Sequence, residues 1–446
     1  MEWEQLISNK RFGKESSHDT MKDDRTVFQR DYDRLIFSAA FRRLQNKTQV
    51  FPLPNQIFVH NRLTHSLEVA SVGRSLGHDS ATLLIQRHPE LRKTHLTEAG
   101  GIVSAACLAH DMGNPPFGHS GEKAINSYFK EGNGLQYKEL INDEQEWNDF
   151  THFEGNANAF RLLTHQFQGR RKGGFVMTYT TLASVVKYPW NSLSEVIGKK
   201  KKLGFFKSEE NSYLRIAEEL GIKRLSREGE PVRYARHPLV YLVEAADDIC
   251  YAIMDIEDAH KLKLLTTDET KALLFRFLPV ELQKRIEAGF SVVTDENEEI
   301  VYLRSVVINC LTQECIRTFV DNENNILNGR FEGSLIQNIS SGTRKAYTDC
   351  MQVAKEKIYK SKEVVDIELA GFKVILSLAE IFIDAVTHPD KTYSKLLLER
   401  IAPQYETAAP TLYGKILAVL DFLSATTDVY ALDLYRRING ISIPNV

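Results

Sequence analysis

The sequence predicts an all-α protein. Apolar residues recur three and four positions apart over long stretches of the 446-residue chain, as they do on the buried face of a helix. Strict two-residue alternation, which marks a half-buried strand, is scarce. Hydrophobic residues make up 43% of the chain and charged residues 26%, an ordinary composition for a globular protein.

Five stretches carry the helical pattern most clearly: residues 28–46, 62–77, 97–112, 238–262 and 363–388. The third begins at Thr97, has Glu98 in its first turn and stops before Gly113, which are ordinary signals for the start and end of a helix. By contrast, residues 296–303 are the best candidate for a strand or hairpin.

Loop composition indicates how the chain is organised. Residues 130–150 are polar, and residues 168–175 and 198–212 are basic and punctuated by glycine. No repeat of fixed period, low-complexity tract or clear linker interrupts the chain. We therefore expect two parts. Residues 1–265 form an N-terminal segment and a helical catalytic core, and residues 266–446 form a helical C-terminal region packed on that core.

Charge and cysteine content narrow the class of protein. The net charge of −3 and a pI near 6.5 give no overall polybasic signature for nucleic acid or membrane. The five cysteines form no CxxC pair, which is typical of reduced, mostly buried thiols. The N-terminus lacks the apolar core of a signal peptide, and no apolar run approaches the ~20 residues that span a bilayer. We expect a cytoplasmic protein with no membrane segment.

The stretch LAHDMGNPPFGHSGE, from Leu108 to Glu122, concentrates reactive side chains around a turn. At the last turn of a helix, just before Gly113, His110 and Asp111 can converge on one metal ion. Alone, a His-Asp dipeptide is weak evidence, because such pairs often lie on the surface or at the C-cap of a helix.

A second helix, EAADDICYAIMDIEDAH, carries an acidic stripe made of Glu244, Asp247, Asp248, Asp255 and Asp258, with Tyr251 among them. Such a stripe is either a solvated face or a face that binds a cation and a polar ligand. The apolar run PLVYLVEAA before it favours partial burial of the first acids, and a buried carboxylate needs a partner.

His65, at a predicted helix start in HNRLTHSLEVA, supplies a second imidazole. Two histidines and two carboxylates, with positions left open for water, fit a hydrolytic metal site. These ligands suit zinc, manganese, iron or nickel, and magnesium less well. The residues alone therefore predict a metal-assisted hydrolase, with a phosphoester as its substrate.

Longer blocks of sequence resemble a known family. The order His65, His110-Asp111 and a later Asp is similar to the HD superfamily of helical metal-dependent phosphohydrolases. The match to the bacterial dGTP triphosphohydrolases is closer and covers nearly the whole chain. It rests on FQRDYDRLIFSAAFRRLQNKTQVFPL, HNRLTHSLEVA, HDMGNPPFGHSGE, HFEGNANAFRLL, TLASVVKYPW, EAADDICYAIMDIEDA and TTDVYALDLYRRINGISIP.

This resemblance implies one divalent metal ion, with Mn, Mg, Fe, Ni and Zn as candidates. Its ligands would be His65, His110, Asp111 and an Asp that is followed by Tyr at +4 and Asp at +8. That register selects Asp247, whereas helical geometry alone does not choose between Asp247 and Asp248.

The resemblance also implies a catalytic pair and a set of substrate contacts. His119 and Glu122 match the pair in which an imidazole relays a proton and a Glu at +3 orients it. Asn114 stands where some relatives have His. The implied substrate contacts are Gln49 (with Gln45 as the alternative) for the sugar 3′-hydroxyl, Arg62 for the α-phosphate, Lys187 and Tyr188 for the triphosphate tail, and Tyr251 and Asp255 for the deoxyribose.

The implied reaction converts a dNTP and water to a deoxynucleoside and inorganic triphosphate, with dGTP as the expected substrate and several dNTPs as the broader alternative. Another HD-superfamily nucleotide phosphohydrolase, or an inactive nucleotide-sensing or nucleic-acid-binding homologue, remains as an alternative. We also expect a homo-oligomer, hexameric or tetrameric as in relatives. The basic runs Arg170-Arg171-Lys172 and Lys199 to Lys202 suggest single-stranded DNA as a further ligand, with solvated loop charge as the simpler explanation.

Overall fold

The predicted all-α fold is confirmed. The computed structural model describes residues 1–15, 24–51, 59–194, 202–290 and 293–442. Within these ranges the protein contains helices and isolated β-bridges but no sheet.

The α-helices in chain order are α1 (Trp3–Leu6), α2 (Val27–Ile36), α3 (Ala39–Arg43), α4 (Arg62–Arg87), α5 (Ala99–Ala109), α6 (His119–Lys130), α7 (Glu144–Thr151), α8 (Gly155–Thr164), α9 (Tyr179–Val185), α10 (Lys207–Glu219), α11 (Pro238–Lys261), α12 (Thr267–Phe275), α13 (Val280–Phe290), α14 (Glu296–Asp321), α15 (Glu323–Leu327), α16 (Leu335–Asn338), α17 (Ser341–Val353), α18 (Lys362–Thr387), α19 (Thr392–Leu398), α20 (Leu412–Ser424) and α21 (Asp428–Ile438). Shorter 3-10 turns lie at Leu44–Asn46, Pro89–Lys93, His95–Glu98 and Asn133–Leu140, and a π-helical turn lies at Ala354–Ile358.

The centre of the molecule consists of α4, α5 and α11, which pack against one another. α5 has the sequence AGGIVSAACLA, and nearly all of its residues are buried. A helix that is apolar all round belongs in an interior, and its small side chains let its neighbours approach closely. The end of α5 therefore delivers His110 and Asp111 from inside the fold.

The start of α4 is fixed by a capping box. The Asn61 side chain accepts the Thr64 N–H at 3.0 Å, and the Thr64 hydroxyl accepts the Asn61 N–H at 3.1 Å. This cap holds the first turn, which carries Arg62 and His65. The helix then continues to Arg87, well beyond the predicted end at residue 77.

The expectation of one helix over residues 28–46 was wrong. α2 ends at Ile36, and Ser38 has an extended backbone with ψ of 148°. The Ser38 hydroxyl accepts the Phe41 N–H at 3.0 Å and so starts α3 as an N-cap. Serine side chains compete in this way with continued helix, and the apolar periodicity does not reveal that competition.

The expectation of a strand over residues 296–303 was also wrong, because these residues begin α14. The Asp295 carboxylate caps this helix by accepting the Asn297 N–H at 2.8 Å. Buried Ile300, Leu303 and Val307 then recur at helical spacing.

Two groups of buried apolar side chains fill the interior. The first surrounds α4, α5 and α11 and extends to Val364. The second joins α6 and α7 to α18, α20 and α21. Since His119 begins α6, the C-terminal helices support the helix that carries this residue. The predicted division of the chain at residue 265 stays a prediction.

Buried ion pairs also connect α8 to α10 and to the C-terminal helix α20. Arg161 of α8 donates to Asp421 of α20, with Nη2 2.8 Å from Oδ2, and its Nη1 lies 2.6 Å from Glu209 Oε1. All three side chains are buried, so losing one partner would leave an uncompensated charge in the interior. This network fixes α20 against α8 and α10.

All five cysteines are free thiols, as predicted. Within the described residues, no helix combines the length and the apolar character needed to cross a membrane.

Candidate metal centre and active site

A cavity of about 330 Å³ opens between the start of α4, the end of α5, the start of α6 and the first part of α11, from Val240 to Tyr251. Ten of the twelve predicted site residues line it, and the two exceptions are His65 and Asp255. The described residues that line this cavity are Gln49, Arg62, His110, Asp111, Asn114, His119, Glu122, Glu154, Asn156, Ser184, Val185, Lys187, Tyr188, Lys202, Val240, Val243, Glu244, Asp247 and Tyr251.

The four predicted metal ligands lie close together, and three of them, His110, Asp111 and Asp247, line the cavity. His65, His110 and Asp111 each bring one donor atom to within 4.8 Å of the others. From α11, Asp247 Oδ1 approaches His65 Nε2 to 3.1 Å and His110 Nε2 to 3.6 Å. The neighbouring Asp248 does not line the cavity.

The hydrogen bonding of His110 suits a metal ligand. Its Nδ1 donates to the Cys107 carbonyl oxygen at 2.6 Å, which places the lone pair of the neutral ring on Nε2. Nε2 is buried and has no hydrogen-bond partner in the described part of the structure. An orphaned imidazole nitrogen that faces two carboxylates is the donor a divalent cation requires.

The charge of the cavity wall also favours a cation. Five carboxylates line the cavity, against three fixed cations from Arg62, Lys187 and Lys202. Burial alone would lower the pKa of His110, but the carboxylates of Asp111 and Asp247 raise it to about 9. The residues therefore fit a bound divalent metal ion, with His65, His110, Asp111 and Asp247 as its candidate ligands.

Arg62 lies next to the candidate metal ligands and contacts Asp111. Its Nη1 donates to Asp111 Oδ2 at 2.7 Å, and the side chain is 9% exposed. Gly118 makes room for the guanidinium, because a Cβ there would lie 2.3 Å from Arg62 Nη2. Gly118 also has φ of 53° and ψ of −123°, a conformation that L side chains rarely adopt.

His119 and Glu122 occupy the first turn of α6, as predicted. His119 Nδ1 lies 2.9 Å from Glu122 Oε2, and the Gly155 N–H donates to Glu122 Oε1 at 2.7 Å. The hydrogen bond to Glu122 raises the pKa of His119. Glu122 is thus held from two sides, while the imidazole reaches the cavity mouth with 78% of its side chain exposed.

Lys187 and Glu244 form a charged wall with Arg236. Lys187 Nζ lies 3.3 Å from Glu244 Oε1, and Arg236 Nη2 donates to Glu244 Oε2 at 2.7 Å. Burial alone would lower the pKa of Lys187, but Glu244 raises it, so the amine stays protonated. Tyr188 lies beside Lys187, whose ammonium is 5.9 Å from the centre of that ring.

Gln49 and Tyr251 complete the predicted substrate face. Gln49 Oε1 is buried without a hydrogen-bond partner in the described structure. The Tyr251 ring stacks on Tyr359 with 6.0 Å between centroids, and Tyr359 Oη donates to Asp255 Oδ2 at 2.5 Å. Asp255 therefore lies one helical turn beyond Tyr251 and outside the lining of the cavity, and Tyr359 contacts both residues.

Sequence reasoning did not place Glu154, Asn156, Lys202 or Glu244 among the predicted site residues, although all four line the cavity. Lys202 Nζ lies 2.5 Å from Glu154 Oε2. Glu154 and Asn156 stand in the quoted block HFEGNANAFRLL, which was the available signal. Lys202 was interpreted as part of a basic loop, and nothing in the sequence of that loop indicates its contact with Glu154.

The two predicted basic runs lie in different places. Of the second run, Lys199 to Lys201 lie outside the described residues, and Lys202 belongs to the cavity above. Arg170 and Arg171 line a separate cavity of about 500 Å³. No acidic side chain is among its described lining residues, which include Arg34, Arg43, Phe167, Phe175 and Tyr405.

Comparison with known proteins identifies relatives along the whole chain. An HD domain family model matches residues 62–187. A deoxyguanosinetriphosphate triphosphohydrolase-like protein of Pseudomonas aeruginosa is 38% identical over 100% of both chains. A protein of the same description from Synechocystis is 38% identical, over 99% of this chain and 100% of its own. A deoxyguanosinetriphosphate triphosphohydrolase of Yersinia enterocolitica is 30% identical, over 98% of this chain and 99% of its own.

Proposed function

Because the chain belongs to the deoxyguanosinetriphosphate triphosphohydrolase family of HD-domain proteins, we propose that it hydrolyses a deoxynucleoside triphosphate at the α-phosphate. A water oxygen bonds to the α-phosphorus, the bond from that phosphorus to the 5′-oxygen breaks, and the 5′-oxygen takes up a proton. The products are a deoxynucleoside and inorganic triphosphate. One observation carries the proposal: the orphaned Nε2 of His110 lies in the same cavity as the His119–Glu122 pair.

His65, His110, Asp111 and Asp247 would hold the divalent metal ion. When bound, the ion lowers the pKa of a water molecule and offsets phosphate charge. The surrounding protein keeps these ligands in place, because the Cys107 carbonyl fixes the His110 ring and Asn114 Nδ2 donates to Asp111 Oδ1 at 2.5 Å. The candidate metals are Mn, Mg, Fe, Ni and Zn, of which Mg is the least suited to a site with two imidazole ligands.

His119 and Glu122 would move the proton. Glu122 accepts from His119 Nδ1 and leaves Nε2 of the ring to exchange a proton with the 5′-oxygen. The hydrogen bond from Gly155 N–H to the other carboxylate oxygen prevents Glu122 from rotating away. This arrangement orients the imidazole before substrate enters.

Fixed cations and polar groups would bind the rest of the nucleotide. Arg62 suits the α-phosphate, since a guanidinium can donate two parallel hydrogen bonds to phosphate oxygens. Lys187 and Tyr188 suit the triphosphate tail. Gln49, through its unpartnered buried oxygen, suits the sugar 3′-hydroxyl, and Tyr251 with Asp255 suits the deoxyribose.

Product analysis tests this function most directly. Purified protein is incubated with each dNTP and Mn²⁺ or Mg²⁺, and the products are separated by chromatography. We expect deoxynucleoside and triphosphate, with dGTP as the preferred substrate and the other dNTPs as slower ones. Pyrophosphate release would favour a different HD-type phosphohydrolase, and an absence of turnover would favour a nucleotide sensor.

A matched pair of variants ties the reaction to the cavity. His119→Ala should abolish turnover while metal binding persists, whereas His78→Ala, at an exposed position on α4, should leave turnover intact. Full activity in His119→Ala would show that this imidazole does not transfer the proton.

We further propose that the arginine-lined cavity at Arg170 and Arg171 binds the phosphates of single-stranded DNA. Fluorescence anisotropy with a labelled oligodeoxynucleotide measures this binding. The affinity for the oligodeoxynucleotide should fall steeply as salt is added, and it should also fall in Arg170→Ala. An affinity that does not depend on salt concentration would rule out the phosphate contacts.

We also propose that the protein is a homo-oligomer, hexameric or tetrameric, which light scattering can determine. The five free thiols fit a reducing compartment, and the cytoplasm is the location we propose.

A further inference from the structure

The C-terminal run TTDVY has no role in the proposed reaction, yet its Asp428 reaches the active site through two main-chain hydrogen bonds. The Thr48 N–H donates to Asp428 Oδ2 at 2.7 Å, and the Phe117 N–H donates to Asp428 Oδ1 at 2.9 Å. Asp428 is 5% exposed. Its carboxylate thus bridges two segments that are far apart in sequence.

Each of these segments carries a residue of the proposed site. Thr48 directly precedes Gln49, and Phe117 lies two residues before His119. Both Gln49 and His119 line the main cavity. A displacement of either N–H from Asp428 would therefore move a residue that faces the nucleotide.

Lys47 makes a second bridge between the same elements. Its Nζ donates to the Ser424 carbonyl oxygen at 2.7 Å and to the Asn114 carbonyl oxygen at 2.5 Å, and the residue is 2% exposed. Asn114 in turn donates to the candidate ligand Asp111. The segment from Ser424 to Asp428 therefore contacts both the chain just before Gln49 and the loop just before His119.

The loop that Asp428 holds has a strained backbone. Phe117 has φ of 60°, which is unfavourable for a bulky L residue and persists only where surrounding contacts impose it. Besides the bond to Asp428, its ring packs against Gly371 of α18, where an added Cβ would lie 2.5 Å from Phe117 Cβ. Both restraints come from the C-terminal helices.

We propose that Asp428 is a positioning residue, which fixes the loop before His119 and the segment before Gln49 relative to each other. The proposal rests on the proposed function for the roles of His119 and Gln49. Asp428 touches no reacting atom, so its effect passes through the two N–H groups that donate to it and through its negative charge near Arg62 and Lys47.

The choice of carboxylate has a physical reason. A carboxylate presents two acceptor oxygens, and each receives one N–H here. An asparagine in its place would keep one acceptor and turn an NH₂ donor toward the other N–H. Asp428→Asn therefore preserves size while breaking one of the two restraints.

The test compares Asp428→Asn with Asp433→Asn, a control on the same helix whose carboxylate is 43% exposed and pairs with Arg437. We expect Asp428→Asn to lower kcat for dNTP hydrolysis by roughly 10–100-fold, since small misplacement of a catalytic group has effects of this size. Metal content should not change, and Asp433→Asn should retain wild-type kcat.

Hydrogen–deuterium exchange supplies a readout that general destabilisation does not mimic. The amides of Thr48 and Phe117 should exchange faster in Asp428→Asn, while amides in α5 and α11 keep wild-type protection. Wild-type kcat with unchanged exchange at both amides would overturn the proposal, as would a uniform loss of protection that parallels the loss of activity.

Gly371→Ala gives an independent variant if Asp428→Asn does not fold. The new methyl group would displace the Phe117 ring, so kcat should again fall, whereas Gly342→Ala, in open space on α17, should not change it. Full activity in Gly371→Ala would also count against the proposal. A wild-type protein without dNTP turnover would refute the proposed function instead, and the exchange experiment would still test the restraint.

Discussion

His119 Nδ1 lies 2.9 Å from Glu122 Oε2 across the first turn of a single helix. The acid is almost fully buried and held by the Gly155 N–H, whereas the imidazole is exposed to the cavity mouth. The pair therefore combines a rigid acceptor with an accessible proton carrier, and that difference gives the first prediction.

Glu122→Gln should lower kcat by about 10²-fold, a typical contribution of an oriented acid–base group. The hydrogen bond to Glu122 raises the pKa of His119, so in the variant this pKa falls back toward its ordinary value. The limb of the pH–rate profile that belongs to His119 should then move to lower pH. Steady-state kinetics across the pH range checks both effects.

A pH–rate profile whose His119 limb does not move in Glu122→Gln would contradict this pairing. Glu131→Gln, at an exposed position after α6, is the control.

Asp247→Asn and Asp248→Asn should differ sharply in metal content. Asp247 Oδ1 faces the imidazoles of His65 and His110, whereas Asp248 lies outside the cavity wall. Loss of the Asp247 charge removes an anionic ligand, so this variant should lose the bound ion and its turnover. Elemental analysis of the purified proteins measures the metal directly. Retention of the ion in Asp247→Asn together with its loss in Asp248→Asn would transfer the ligand role to Asp248.

Gly118→Ala should damage the site through both the backbone and Arg62. The positive φ strains any other residue by about 1–3 kcal/mol, and the added Cβ would contact the guanidinium. We expect a lower free energy of unfolding, measured in urea, and a loss in kcat/KM of about 10²-fold from the displaced Arg62.

Gly101→Ala provides the matched control for that substitution. It lies in α5 with open space around its added methyl group, so it should leave kcat/KM unchanged and slightly stabilise the helix. Equal behaviour of the two variants would show that Gly118 has no special role.

His60 should make stability depend on pH on the alkaline side. Burial alone would lower the pKa of His60, but hydrogen bonds to Asp258 and Glu68 raise it from 6.5 to about 10. A raised pKa in the folded state means that the stabilisation is fully present below pH 6.5 and is lost as pH rises toward 10. The difference in free energy of unfolding between wild type and His60→Gln should therefore shrink over this range.

His388→Gln, at an exposed ion pair with Asp384, is the control. A difference in free energy of unfolding that grows with pH would contradict the raised pKa of His60.

Sequence reasoning predicted the helical class and the long helices α4, α11 and α18, because their apolar faces repeat over many turns. It did not predict the break at Ser38, since one hydroxyl that accepts a single N–H outweighs the surrounding periodicity. It also missed the helix that begins at residues 296–303, where the run of β-branched and aromatic residues resembles a strand. The Asp295 cap and the helical spacing of Ile300, Leu303 and Val307 were the signals for the helix.

The residues of the candidate site also fall into two groups, those that the local sequence predicts and those that it does not. His110, Asp111 and His119 fall within one short stretch, so their proximity follows from a single turn of the chain. Lys202 and Asp428 meet that stretch only through tertiary packing, and no local pattern shows which of many charged residues will arrive there. Resemblance to a family filled part of this gap, but it supplied no contact for either residue.

The hydrogen bond between Thr48 and Asp428 joins positions 380 residues apart. A nascent chain on the ribosome cannot form this bond until Asp428 has been synthesised, even where the earlier helices have already packed together. Contacts of such long sequence separation are formed late, because closing the chain around them has a high entropic cost. If the restraint is needed for turnover, chains that stop before Asp428 do not consume nucleotide, and the enzyme becomes active only when α20 and α21 have folded.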